Sequence, residues 1–284
     1  MECKCCPRGC KADRDSFTGF CGLKNELRIA KIMVHRGEEP VLTGDGGSGA
    51  VFFSGCVLKC KFCQNYIISH GNKGEIYTPE MLISAILKLQ DEGVSNINLI
   101  TPTHFIEQLI PILKELKPLL KIPIVYNTGG YELPEQIKKL EGLVDIYLPD
   151  LKYYSNELGI KYSSVKDYFY YTSNSIKEMI RQQPKVVIEN GLMKNGVIVR
   201  HLVLPSHYKD SLKLMEWLSS LETKPLVSVM RQYTPAYDAV NFPEINRRLT
   251  TFEYDKVVNF CADLGLDGFT QMKGCDNLDM TPNF

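Results

Sequence analysis

Gly55 Cys56 Val57 Leu58 Lys59 Cys60 Lys61 Phe62 Cys63, preceded by the apolar run 50–53, decides how the rest of this chain is read. Its cysteines are spaced CxxxCxxC on one short loop. Structural zinc usually takes two CxxC-type pairs and closes all four positions, while the ferredoxin run CxxCxxC has a fourth cysteine close behind. Neither pattern occurs at this loop. Three thiolates can hold three irons of a 4Fe–4S cluster and leave the fourth iron open for a substrate or cofactor.

Outward from the loop, short β-branched or aromatic runs alternate with longer segments of helical period. That is the pattern of βα units and a parallel sheet. Strands are predicted at 50–54, 97–100, 122–127, 145–149, 197–204 and 226–232. Helices are predicted from residue 79, with Thr78 as cap, Pro79 at the first position and Leu82, Ile83, Ile86, Leu87 and Leu89 as apolar face, and then near 105–116, 133–140, 164–182, 209–221 and 254–264. Six such units predict an α/β fold, a partial TIM-like (β/α)6 barrel open on one side. Chemistry in such barrels collects at the carboxyl ends of the strands, where the cysteine loop already lies.

Residues 1–49 do not follow this rhythm and read as a small cysteine-rich N-terminal module, with residues 50–284 as barrel and tail. The module carries Cys3, Cys5, Cys6, Cys10 and Cys21 among the turn residues Pro7, Gly9, Gly19 and Gly22. Cys3, Cys6, Cys10 and Cys21 form a candidate second metal site, for zinc or an iron–sulfur cluster, with Cys5 as a bystander. Cys261 and Cys275 stand alone and read as core thiols. The run 44–49 formally fits GxGxxG, but it leads into a strand instead of following one, so it reads as a flexible turn. The tail from residue 266 has little periodicity beyond a short final strand at 268–272.

Composition narrows the function classes. The 284 residues are 44% hydrophobic, enough for a sizeable core, and 33 basic side chains balance 33 acidic ones. No broad basic field exists to attract a nucleic-acid backbone or an acidic membrane surface. The amino terminus lacks the apolar core of a signal peptide and no stretch is apolar for long enough to span a bilayer, so the expected location is the cytoplasm. In a reducing compartment ten cysteines crowded into two clusters point to metal.

With Phe62 as the aromatic of CxxxCxΦC, the loop resembles the signature of the radical S-adenosylmethionine (SAM) superfamily. The resemblance implies a partial barrel, a 4Fe–4S cluster on Cys56, Cys60 and Cys63, and SAM on the open iron. Where the family often has Gly Gly Glu, the second strand ends in Thr101 Pro102 Thr103 His104, whose carbonyls, hydroxyls and imidazole are candidate SAM contacts. Gln64 and Asn65, the run Asn127 Thr128 Gly129, and Asp150 with Lys152 resemble the activating enzymes of glycyl radical enzymes, including that of pyruvate formate-lyase. There the matching positions surround the SAM carboxylate and, in some members, a monovalent cation; Asn127 stands where aspartate is usual. Arg200 is suited to a carboxylate or ribose hydroxyl, or to an ion pair inside the barrel, and Leu204 to packing on the adenine. Arg231, Gln232 and Tyr233 end the sixth strand, and Gln232 is counted with the cofactor contacts.

Together with the amino-terminal motif CxxCPRGC, these motifs resemble the PflX-like branch of activase homologues over nearly the whole chain. The activity implied is that of a radical SAM oxidoreductase. A reduced cluster cleaves SAM to methionine and a 5′-deoxyadenosyl radical, which abstracts hydrogen from a protein or peptide, a glycyl radical enzyme among the candidates. No side chain is needed as acid or base. The implied partners are an electron donor such as flavodoxin or ferredoxin and the substrate. A small metabolite, another peptide modification, or a non-enzymatic metal-binding role are the alternatives.

Overall fold

The structure, a computed structural model, describes residues 2–71, 73–274 and 282. Its strands are β1 (Arg28–His35), β2 (Ser48–Phe53), β3 (Glu75–Ile76), β4 (Ile97–Ile100), β5 (Ile124–Thr128), β6 (Ile146–Pro149), β7 (Val187–Glu189), β8 (Leu192–Leu202), β9 (Leu226–Met230) and β10 (Gly268–Thr270). Strands β2, β4, β5, β6, β8, β9 and β10 run parallel in that order. The path ends in β10 on one side and, through antiparallel β1, in β3 on the other, so the barrel is partial and open.

Local chemistry explains where elements differ from expectation. Strand β8 starts early because Asn190 and Gly191, both left-handed, turn β7 back onto it, as Asn-Gly does in a two-residue hairpin. It stops at Leu202, just ahead of Pro205. The helix expected over 164–182 is Tyr168–Gln182, and an unexpected helix, Asn156–Ser163, precedes it and ends where Ser164 takes a left-handed conformation. The last helix begins at Thr251 because Thr250 and Glu253 form a reciprocal capping box. Helix Pro79–Asp91 is capped by Thr78 and buries Leu82, Ile83, Ile86 and Leu89.

Strand periodicity of two sorts the side chains. Val51, Leu99, Tyr126, Tyr147 and Val199 face the helices in the main core. Val125, Ile146, Leu148 and Ile198 face inward and pack with Leu42 and Met193. Above that apolar layer, the same inward rows continue as Asn98, Asn127, Asp150 and Arg200.

Leu42 comes from the N-terminal region, which changes the expected division at residue 49. Strand β1 pairs with β2, and His35 lies opposite Ser48 at the amino end of β2. From there the chain runs into helix Pro40–Thr43, whose Leu42 is fully buried against the barrel's inner face. Residues 28–43 therefore belong to the sheet and plug the amino-terminal mouth, and only residues before β1 form a separate N-terminal module. The glycine run that follows is packed, not loose. A Cβ on Gly46 would overlap the Gly93 carbonyl oxygen. Cys275 and the tail residues 275–281, 283 and 284 lie outside the described residues. Among the described residues no helix is long and apolar enough to cross a membrane.

Candidate functional site

The cysteine loop leaves β2 through Gly55, a left-handed residue packed so closely on the N-terminal module that a Cβ would sit 2.7 Å from the Cys21 carbonyl oxygen. Lys61 N donates to the Tyr162 carbonyl at 2.8 Å, which ties the loop to helix Asn156–Ser163. Each sulfur is held by hydrogen bonds. Leu58 N donates to Cys56 Sγ (3.4 Å), while Cys60 Sγ meets Ser163 Oγ (3.1 Å) and Cys63 Sγ meets Ser69 Oγ (3.3 Å). Burial, reinforced by Cys60, raises the Cys56 thiol and pushes Cys63 up to about 12. As thiolates both need a compensating cation, and metal binding would displace their protons.

The three thiols form one wall of a cavity of about 270 Å³ at the carboxyl ends of the strands. Of the residues singled out in the sequence, Phe62, Gln64, Asn65, Thr101, Asn127, Thr128, Gly129, Asp150, Lys152, Arg200 and Gln232 line it as well. Opposite the cysteines stands a buried ion cluster. Arg200 donates from Nε to Asp150 Oδ1 (3.0 Å), from Nη1 to Glu38 Oε2 (3.0 Å) and from Nη2 to Asn127 Oδ1 (2.6 Å). Lys152 Nζ bonds Asp150 Oδ2 at 2.6 Å.

Burial works against ionising Asp150, but the charges of Lys152 and Arg200 outweigh it and hold the carboxyl below its ordinary value. Burial raises Glu38 to about 7 against the pull of Arg200. The Arg200 fork is thus spent on protein groups. Lys152 Nζ has only Asp150 as a hydrogen-bond partner among the described residues, and is the cation left for an anionic ligand.

Three expected contacts lie elsewhere. Thr103 belongs to the short 3-10 turn Thr103–Phe105 and is buried, donating to Glu132 Oε1 at 2.6 Å. His104 donates from Nε2 to the Ser54 carbonyl (2.6 Å), and burial pushes it down to about 3, so it joins the ends of β4 and β2 as a neutral ring. Leu204 falls past the end of β8 into the main core, and Leu202 lines the cavity instead.

The sequence reading also missed His35 and Glu38, which reach the cavity from β1 and the plug. It missed Glu132 too, which accepts from Thr128 behind the cavity wall. The β-branched residues Ile29, Ile32 and Val34 were a signal for β1, but nothing local points Glu38 at a residue 162 positions away.

In the N-terminal module Cys6 and Cys21 are close enough to feel each other's charge and that of Cys3, and Cys21 feels Cys10 as well. Cys3 is engaged with Cys5 and with Arg14, whose Nη1 lies 4.0 Å from Cys3 Sγ. Cys10 is exposed and Cys21 buried, their sulfurs flanking Gly19. Among the described residues no three His, Cys, Asp or Glu side chains converge on an ion. A zinc ion needs its thiolates at one point, whereas a cubane cluster takes each thiolate on a different iron, so its cysteines surround a volume. The three cavity cysteines, each with a hydrogen bond and with no fourth cysteine lining the space among the described residues, fit the cluster.

Residues 50–218 match the Radical SAM superfamily model. The chain is 34% identical over 277 residues to an uncharacterized protein of Methanocaldococcus jannaschii, covering 94% of this chain and 76% of that relative. In structure it is similar to Streptococcus suis SuiB bound to S-adenosylmethionine, with TM-score 0.54 and 14% identity over 80% of this chain and 50% of SuiB. It is also similar to a radical SAM methyltransferase from Sphaerobacter thermophilus, with TM-score 0.53 and 16% identity over 80% of this chain and 67% of that one. At these identities the two structures speak to the fold alone. The family match covers more than half of the sequence and contains the three-cysteine loop, so the chain belongs to the Radical SAM superfamily.

Proposed function

We propose that this protein is a radical SAM enzyme acting on a protein or peptide, with a glycyl radical enzyme as the candidate substrate and a flavodoxin- or ferredoxin-type protein as electron donor. When bound, the cluster and SAM supply a one-electron reduction and, from it, a carbon-centred radical that takes hydrogen from the substrate. Cys56, Cys60 and Cys63 would hold the cluster. Lys152 would receive the SAM carboxylate, and Asn127, Thr128 and Gln232 would face its polar groups across the cavity. Arg200 holds Asp150 and Asn127 in place, and the apolar layer under it excludes water from below.

The observation behind the substrate class is an aromatic ledge at the mouth. Tyr66 and Tyr237, 39% and 45% exposed, stack with centroids 5.3 Å apart. Tyr66 shares its turn with Ile68 and Ser69, which line the cavity. Exposed stacked rings at a cavity mouth suit a chain that stays outside while one residue enters.

Anaerobic reconstitution with SAM and a strong reductant should give 5′-deoxyadenosine from the wild type and only background from Cys60→Ala. Equal yields would sink the reading. Incubation with a deuterated lysate of the host, split by size, then separates the substrate classes. Deuterium should reach 5′-deoxyadenosine from the macromolecular fraction; transfer from the small-molecule fraction alone would establish the metabolite reading instead.

A further inference from the structure

Arg8 sits in the N-terminal module between Cys6 and Cys10, yet its side chain reaches the cysteine loop. Its Nε donates to the Val57 carbonyl (2.7 Å), Nη1 to Ser164 (2.6 Å), and Nη2 to Ser163 (2.6 Å) and Leu58 (3.4 Å). Val57 and Leu58 lie between Cys56 and Cys60. Ser163 touches Cys60 Sγ through its hydroxyl, which Tyr153 also contacts at 2.9 Å. Four carbonyls from two segments therefore converge on one side chain, and only a planar five-donor cation satisfies that arrangement.

The Phe20 ring, also from the module, lies 3.7 Å from the guanidinium carbon. The module is fastened elsewhere by Arg14, which donates to the carbonyls of Leu23, Lys24 and His104. Arg8 is thus delivered by a docked unit; burial holds it below its ordinary value, and Cys56 and Cys60 are near enough for their charge to oppose that and favour the charged form.

We propose that Arg8 is a positioning residue for the iron–sulfur cluster, its fork setting the turn between Cys56 and Cys60 and its charge favouring the reduced cluster. The inference rests on the assignment of those cysteines to a 4Fe–4S cluster. Reduction adds one negative charge beside a fixed positive one, and local charge and hydrogen bonding around the sulfurs are the means by which a protein sets a cluster's potential. The N-terminal module then has a task that the barrel alone does not fulfil.

The test is a redox titration of reconstituted full-length protein, followed by the electron paramagnetic resonance signal of the reduced cluster. Arg8→Gln, with iron content and thermal melting near wild type, should show a reduced-to-oxidised ratio about tenfold lower at a given potential, a shift of about 59 mV for one electron. Arg8→Lys keeps the charge without the fork, and should restore the potential while leaving an altered line shape. An unchanged potential in an iron-replete Arg8→Gln protein overturns the proposal. If that variant loses its iron, Arg8→Lys decides: a potential within about threefold in ratio of the wild type supports the role of charge, and a drop of tenfold or more overturns it. Failure of the wild type to hold any cluster is a different result, and refutes the assignment of the cysteines themselves.

Discussion

Glu132 lies behind the cavity wall, where Thr103 and Thr128 donate to its Oε1 and Tyr126 adds a longer bond of 3.4 Å. Its Oε2 is buried without a protein partner among the described residues. Burial raises the carboxyl to about 7 despite those hydroxyls. Between the ordinary glutamate value and 7 the folded protein holds a proton that the unfolded chain releases, so this group's contribution to stability falls as pH rises through that window. The cost above 7 is about 3 kcal/mol. Glu132→Gln keeps an acceptor for the two threonines and carries no charge. Urea denaturation at pH 5 and pH 8 should show the variant matching the wild type at the lower pH and exceeding it by up to about 3 kcal/mol at the higher one. A variant equally destabilised at both would mean that the ionised carboxylate is what holds Thr128.

At the scale of elements, the plug is the part that sequence patterning conceals. Leu42 is buried against Val125, Ile146, Leu148 and Ile198 on four-residue helix Pro40–Thr43, too short to show a period. Leu42→Ala should cost about 2–5 kcal/mol in denaturant unfolding, as large-to-small changes in a closed core do. Val240→Ala on the surface should stay within about 0.5 kcal/mol. Equal small effects would show that the barrel mouth tolerates water.

The parallel strands were legible because a strand buried on both faces reads as a continuous apolar run. The cysteine loop and the Asp150–Lys152 pair were legible because strand ends follow from strands. Thr103, His104 and Leu204 occupy strand-end positions too, but a 3-10 turn after β4 and the early end of β8 carry them into the core. Glu38 and Arg8 were not legible at all. Their partners are far along the chain, and nothing in the periodicity of either segment encodes them.

For the molecule as a whole, two buried neutral histidines fasten the strand ends on which the cavity stands. His104 bridges β4 to the carbonyl after β2. His201 donates from Nδ1 to the Leu151 carbonyl (2.6 Å) and accepts at Nε2 from Ser211 Oγ (2.8 Å), tying β8 to the segment after β6 and to helix Tyr208–Ser219. Burial pushes them down to about 3 and 4. Unfolded, each binds a proton below about pH 6.5, so the stability they carry is present above that value and lost as pH falls toward their folded values. Glu132 and Glu38, both raised to about 7 by burial, work in the opposite direction over part of the same range, and the imidazoles outweigh them because their shifts reach further down in pH. Stability of the apoprotein should therefore be highest near neutral pH and fall by about 1–2 kcal/mol between about pH 6.5 and pH 4. Urea midpoints measured across that range give the slope, and His201→Asn should flatten it while lowering stability at pH 7.5, where the lost contacts still count. A wild-type profile flat down to about pH 4 would falsify the assignment of the two rings as neutral staples, and with it the account of how the strand ends around the cysteines are held together.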